Sequence, residues 1–309
     1  TEACLLPVFS NFIKDRPESG VSILYVTPLR ALNRDMLRRM TYWGDCLGMH
    51  IEVRHGDTPQ VERRRQAVKP PDMLITTPET LQAILPGRLM GRHLKAVRWV
   101  IVDEVHELAE DRRGTQLVLA LERLRRLTGR EYQRIGISAT VGSPEEVARF
   151  LAGTGRKIRV VKVFPPKDCR YFIERPIAGE LEYDFAQKLY TSPEAAARLL
   201  RIKELVDSHK STLIFTNSRQ NAEMLGLRFN TLGTGIEVHH GSLSREERHR
   251  VEDEFKAGKL KGIVCTSTLE LGIDIGSVDL VVQYLSPRQV SSFLQRVGRS
   301  GHRMDRLSE

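Results

Sequence analysis

Apolar positions in the first half of the chain fall into short β-rich runs, VSILYVT (21–27), DMLITT (72–77), VRWVIVD (97–103) and RIGIS (134–138). These alternate with stretches of helical period such as PLRALNRDMLRRM and GTQLVLALERLRRL. Strands that are apolar throughout and separated by helices predict a parallel sheet covered on both faces. The rhythm stops near Phe164, where FPPKDCRYFIERPIAGE brings two consecutive prolines and then a further Pro-Ile-Ala-Gly, the punctuation of a domain boundary. It then restarts with STLIFT (211–216), GIEVHH (235–240), KGIVCTS (261–267) and VDLVVQY (278–284), with amphipathic stretches such as SREERHRVEDEFKAG between them. The pattern therefore predicts two α/β domains in series, residues 1–165 and 166–309, with no low-complexity tract and no sequence-level repeat.

The chain has 309 residues, 40% hydrophobic and 28% charged, enough for two ordinary cores. No run approaches the roughly 20 consecutive apolar residues of a membrane span, and the N-terminus lacks the pattern of a secretory signal, so the expected location is cytoplasmic, away from membranes. Cys4, Cys46, Cys169 and Cys265 are widely spaced and form no C-x-x-C pair, which speaks against a disulfide framework or a zinc knuckle and predicts buried thiols. A net charge of +9 makes a polyanionic partner plausible.

One junction carries chemistry. VIVDEVHEL (100–108) runs from apolar residues straight into Asp103 and Glu104. Ligands of open α/β sheets bind outside the carboxyl ends of the strands, where this acid pair stands. In nucleotide-hydrolysing folds an aspartate there holds Mg²⁺ against phosphate oxygens, and a neighbouring carboxylate can orient and deprotonate a water. The alternative is that Asp103 caps a turn and Glu104 is solvated.

Other segments bear on that choice. VDEVHE resembles the DExH box of superfamily 2 helicases. TPLRALNRD (27–35), TTPETL (76–81), SAT (138–140), LIFTNSR (213–219), TSTLELGIDIG (266–276) and QRVGRSGHR (295–303) resemble the remaining helicase motifs, in order. Within that superfamily GISATVGSPEEVARFL, VDEVHELAEDRRGTQ and QRVGRSGH resemble the Lhr family, the large helicase-related proteins of archaea and bacteria. The resemblance spans essentially the whole chain and implies two tandem RecA-like domains, with ATP and Mg²⁺ as cofactors. It also implies single-stranded nucleic acid or a partial duplex as partner, with DNA preferred over RNA.

The resemblance distributes roles. Asp103 would hold Mg²⁺, with Thr1, and Glu104 would activate water. His106, Ser138, Ala139, Thr140 and Gln295 would couple the nucleotide to the strand; Ser138 and Thr140 could equally cap the following helix. Arg299 would act as an arginine finger, a permanently charged planar group suited to a transferring phosphoryl. Gly272, Asp274, Arg296, His302 and Arg303 would complete the nucleotide contacts; many relatives carry a second finger where this chain has His302, so its role and that of Arg303 stay open. The alternative is that this arginine cluster binds nucleic-acid backbone. The strand would contact Thr27, Pro28, Arg30, Asn33, Thr77, Pro78 and Glu79 in the first domain and Asn217, Ser218, Arg219, His240, Gly241, Thr266 and Ser267 in the second, through groups that read no base sequence. VERRRQ (61–66) reads as a solvated helix face or a further contact.

Thr1 stands where G-x-x-x-x-G-K-[ST] would end, so the phosphate loop is expected upstream and these residues alone are expected to be inactive. Winged-helix and accessory domains are expected downstream. The activity implied is that of an ATP-dependent helicase core moving 3′→5′. A translocase that does not unwind, and a non-catalytic nucleic-acid-binding module, remain alternatives.

Overall fold

The computed structural model describes residues 2–16, 19–28, 30–109, 111–138, 143–162, 170–270, 275 and 278–300, with backbone only for 30–36. The chain divides into two compact units, Thr1–Lys162 and Val163–Glu309.

The first unit runs α1 (Glu2–Lys14), β1 (Ile23–Val26), α2 (Arg30–Leu47), β2 (Ile51–Arg54), α3 (Gln60–Val68), β3 (Met73–Thr76), α4 (Pro78–Ile84), α5 (Arg88–His93), β4 (Trp99–Val102), α6 (Val105–Ala109), α7 (Arg112–Thr128), β5 (Gln133–Gly136) and α8 (Pro144–Ala152). The second runs α9 (Glu180–Lys188), α10 (Pro193–Ser208), β6 (Thr212–Phe215), α11 (Arg219–Thr231), β7 (Ile236–His239), α12 (Arg245–Lys256), β8 (Gly262–Cys265), β9 (Leu280–Gln283) and α13 (Val290–Val297).

Both sheets are parallel, in the orders β2-β3-β1-β4-β5 and β7-β8-β6-β9. The first four strands of unit 1 and the four of unit 2 thus repeat one arrangement. All four residues of β1, β3, β4, β6 and β8 are buried, which explains their unbroken apolar runs. Helices cover each sheet on two faces. In α1, Leu5, Val8, Phe9 and Phe12 recur at helical spacing and pack with Tyr25, Ile75 and Ile101; burying each such side chain is worth about 1.5–3 kcal/mol. The opposite face of the same sheet packs Leu24, Leu74 and Val100 with Leu117, Leu121 and Leu124 of α7.

Strand β2 is absent from the sequence expectation. It is a sheet edge in which Glu52 and Arg54 interrupt the apolar residues, with only one of its four positions fully buried. Its sequence, IEVRHG (51–56), nearly repeats IEVHHG (236–241) of β7, the corresponding edge of the other sheet. A local repeat therefore exists where none was expected. Cys265 is buried as expected, but Cys46 is exposed; Cys169 lies outside the described residues. Among the described residues no helix is long and apolar enough to cross a membrane.

Candidate functional site

Parallel registry carries the motif residues of unit 1 to one edge. Val26 pairs with Thr76 and with Val102, and Val102 pairs with Gly136, so the residues that follow these strands emerge side by side. Backbone bonds extend the ladder by one step: Thr27 N donates to Thr76 O at 3.0 Å, Asp103 N to Val26 O at 2.8 Å, and Ile137 N to Val102 O at 2.8 Å.

Beyond that ladder the chain turns sharply at Glu104, whose φ of +47° lies in the left-handed region that a side chain populates only at a cost of about 1–3 kcal/mol. The amide of Val105 is anchored on Ile137 O at 3.0 Å. The turn leaves Asp103 only 7% exposed. Its Oδ1 accepts the Glu104 amide at 3.0 Å, and its Oδ2 accepts the hydroxyl of fully buried Tyr25 at 2.5 Å. Tyr25 was not expected at the site; it sits in an apolar strand and looks like core until its hydroxyl is traced. His106 is buried, with Nδ1 3.1 Å from Ser138 Oγ and 3.5 Å from Glu104 Oε2, and Nε2 3.5 Å from Glu107 Oε1. Helix α8 starts at Pro144 after Ser143, so Ser138 is not its cap.

The carboxylate of Asp103 suits Mg²⁺. Each oxygen accepts one of these two donors and keeps acceptor capacity, and Mg²⁺ needs only one or two protein carboxylates when phosphates and waters complete its shell. Among the described residues no three His, Cys, Asp or Glu side chains converge as an all-protein cage.

Several expected strand contacts are turned inward. Thr27 is fully buried. Thr77 spends its hydroxyl capping α4, accepting Thr80 N at 3.4 Å, with Pro78 buried in the first turn. Pro28 is buried, and its carbonyl accepts Arg113 Nη2 at 2.6 Å. Glu79 is exposed and accepts Arg113 Nε at 2.6 Å; burial acts to raise its pKa, but hydrogen bonding and charge from Arg113 hold it below the ordinary carboxylate range. The arginines of α3 are partly structural: Arg63 donates to the carbonyls of His55, Gly56 and Thr58, and Arg65 pairs with Glu52. Arg30 and Asn33 belong to the first turns of α2. Thr1, Ala139, Thr140, Gly272, Asp274, His302 and Arg303 lie outside the described residues.

In unit 2, Phe215 pairs with Cys265 and with Gln283, and His239 pairs with Cys265, so its motif residues also share one edge. Asn217, Ser218, Arg219, Gly241 and Ser267 are exposed there. Ser218 caps α11, and Arg219 Nη1 donates to Ser242 Oγ at 2.6 Å. His240 and Thr266 are buried. His240 accepts the Ser242 amide on Nδ1 at 3.2 Å, so its Nε2–H donates to Glu223 Oε1 at 2.5 Å. In unit 1, His55 Nδ1 likewise accepts the amide of Asp57 at 3.1 Å, a matching turn that the sequence reading passed over.

Arg296 departs most from expectation. It is 5% exposed and turned into unit 2 instead of being presented to a nucleotide. Nε donates to Glu270 Oε1 at 2.6 Å and Nη2 pairs with the same oxygen; Nη1 donates to Gln283 Oε1 at 2.7 Å and to Asn217 Oδ1 at 3.2 Å, while the guanidinium lies over the Phe215 ring. A guanidinium so engaged has little left for a phosphate. Gln295 and Arg299 lie on either side of it and are partly exposed.

Comparisons with known proteins match each unit separately. The family model of the DEAD/DEAH box helicase matches residues 1–148, and that of the helicase conserved C-terminal domain matches residues 194–304. Each unit thus matches one helicase domain model, the first that of the DEAD/DEAH box helicases. Over nearly its whole length the chain is similar to Lhr proteins. It is 42% identical to the ATP-dependent helicase Lhr-Core protein 2 of Thermococcus barophilus, over 94% of this chain and 36% of that protein. It is 40% identical to the ATP-dependent helicase Lhr-Core of Methanocaldococcus jannaschii, over 96% and 36%. The solved structure of Mycobacterium smegmatis helicase Lhr bound to ssDNA and AMP-PNP superposes with a TM-score of 0.80 at 39% identity, covering 99% of this chain and 41% of that one. The chain thus spans about a third of the length of the first two relatives.

Proposed function

We propose that the chain is the motor core of an ATP-dependent DNA helicase that translocates 3′→5′ along a single strand. The observation that carries the reading is the buried His106, in reach of both Glu104 and Ser138, on an edge that also bears the strand-end loops of β1 and β3. A base next to a hydrogen-bonded relay is what a motor needs if hydrolysis is to respond to an occupied track. Similarity to the Mycobacterium smegmatis helicase, whose structure contains ssDNA and AMP-PNP, supports DNA and an adenine nucleotide as ligands.

In this reading Asp103 would hold Mg²⁺, which supplies charge neutralisation on phosphate oxygens when bound. Glu104 accepts the proton of the attacking water. Arg299 serves as the finger that offsets developing charge, while Arg296 shapes its own unit. Tyr25 and the Glu104 amide fix the direction of the Asp103 carboxylate.

The test uses the full-length protein. Hydrolysis should rise on adding a single-stranded oligonucleotide, and a duplex with a 3′ tail should be unwound in preference to one with a 5′ tail. His106→Ala should cut strand stimulation by at least about tenfold, the equivalent of one charge-assisted hydrogen bond, while leaving oligonucleotide affinity near the parent's. Full strand stimulation in the His106 variant removes the relay, and preference for the 5′ tail removes the direction.

A further inference from the structure

Arg113 has no role in the site as described so far, yet it lies between two of its loops. It opens α7, where Gly114 allows an unusually close approach to α6: a Cβ there would sit 1.8 Å from Leu108 O. That contact sets the first turn of α7 beside the ends of β1 and β3. The Arg113 guanidinium then donates Nη2 to the carbonyl of Pro28 and Nε to Glu79, 2.6 Å each. Nη1 carries no partner among the described residues, and the side chain remains 35% exposed. One edge of the planar group is thus fixed by the protein, which leaves the other amino group available to a further acceptor.

We propose that Arg113 is a strand-contacting residue whose Nη1 donates to a backbone phosphate of the bound single strand. The inference rests on reading the loops after β1 and β3 as part of the strand-binding edge. The two anchors explain why the contact is effective. Arginine ordinarily loses substantial rotamer freedom on binding, whereas this fork is already held, so little further ordering is needed. The same pair covers Glu79, whose carboxylate would otherwise repel the phosphates passing it. Specificity is not expected from such a contact, because phosphates position a strand without reporting its sequence.

Binding of a labelled single-stranded oligonucleotide to the full-length protein, titrated at several salt concentrations without nucleotide, decides the matter. Each phosphate contact by a cation on a single strand contributes about 0.7 to the slope of log K against log salt. Arg113→Gln should weaken binding roughly tenfold at low salt and make the slope shallower by about 0.7. Arg113→Lys keeps a cation and should retain the parent's slope with part of its affinity. A parent-like slope in Arg113→Gln overturns the phosphate contact, even if affinity falls, since loop holding alone releases no counterions. If Arg113→Gln melts early, Arg113→Met, which keeps the apolar stem and removes the charge, is titrated below its own melting temperature, and a parent-like slope there refutes the proposal. Absence of salt-dependent binding by the parent would instead remove the strand-binding edge itself.

Discussion

The two units repeat one strand order and bring motif residues to the same edge of each sheet, yet they use charge in opposite ways. In unit 1 the acid turn is poised. Glu104 is 20% exposed, and its contact with His106 is 3.5 Å, too long to be a strong bond. In unit 2 the corresponding edge is locked: Arg296 and Glu270 are each under a tenth exposed, and the one guanidinium bonds Glu270, Gln283 and Asn217. A charge that keeps some exposure to solvent can change partners, whereas a buried and paired one fixes geometry, because separating it exposes an uncompensated charge. The strand-end edge thus carries a partly exposed acid turn in unit 1 and a buried ion-paired frame in unit 2.

The sharpest way to break the contrast is Glu104→Gln. The amide keeps the shape of the turn but cannot accept a proton, so ATP turnover should fall by about 10²–10⁴ while binding of Mg·ATP persists. Steady-state hydrolysis beside a nucleotide-binding titration reads both; turnover like the parent's would show that the turn is not the base.

The locked half predicts a stability loss instead. Arg296→Met leaves Glu270 buried without its partner and should cost unit 2 about 3–5 kcal/mol, read by urea unfolding. The double variant Arg296→Met with Glu270→Leu should recover much of that loss, since apolar residues of similar volume replace buried ion pairs at little cost. A stable Arg296→Met protein with impaired nucleotide binding would reverse the assignment and return Arg296 to the phosphates.

Much of this was legible in the chain. The fully buried strands announce themselves as unbroken apolar runs, and the acids at the end of β4 announce a strand-end site. What escaped did so for physical reasons. IEVRHG and IEVHHG form equivalent edges, but the first enters from MH and ends on Arg54, whereas the second follows the Gly-Thr-Gly of a helix end and stands out as a strand. Arg296 and Arg299 share one motif, and spacing alone does not say which points inward; Glu270, 26 residues away, decides it. Tyr25 and Arg113 act on residues 78 and 85 positions distant, beyond the reach of any local pattern.

The smallest effect concerns a third use of charge, at the surface of unit 1. Glu122 accepts from Arg156 Nη1 and Arg134 Nη2 at 2.8 Å each, tying the end of α8 to α7. These bonds, that from Arg156 foremost, lower its pKa from 4.5 to about 2. A carboxylate with a depressed folded-state pKa stabilises the fold at pH values above its unfolded pKa, and that contribution is lost as pH falls through the folded value. Glu122→Gln should therefore lower the melting temperature modestly at pH 6 to 7, and the gap from the parent should narrow from about pH 4.5 downward and close near pH 2. Glu122 is partly solvated, so added salt should narrow the gap too, whereas the Arg296–Glu270 pair, shielded from solvent, should respond far less to salt. Thermal melts across pH and ionic strength check both halves, and a gap independent of pH would mean that packing, rather than charge, holds α8 in place.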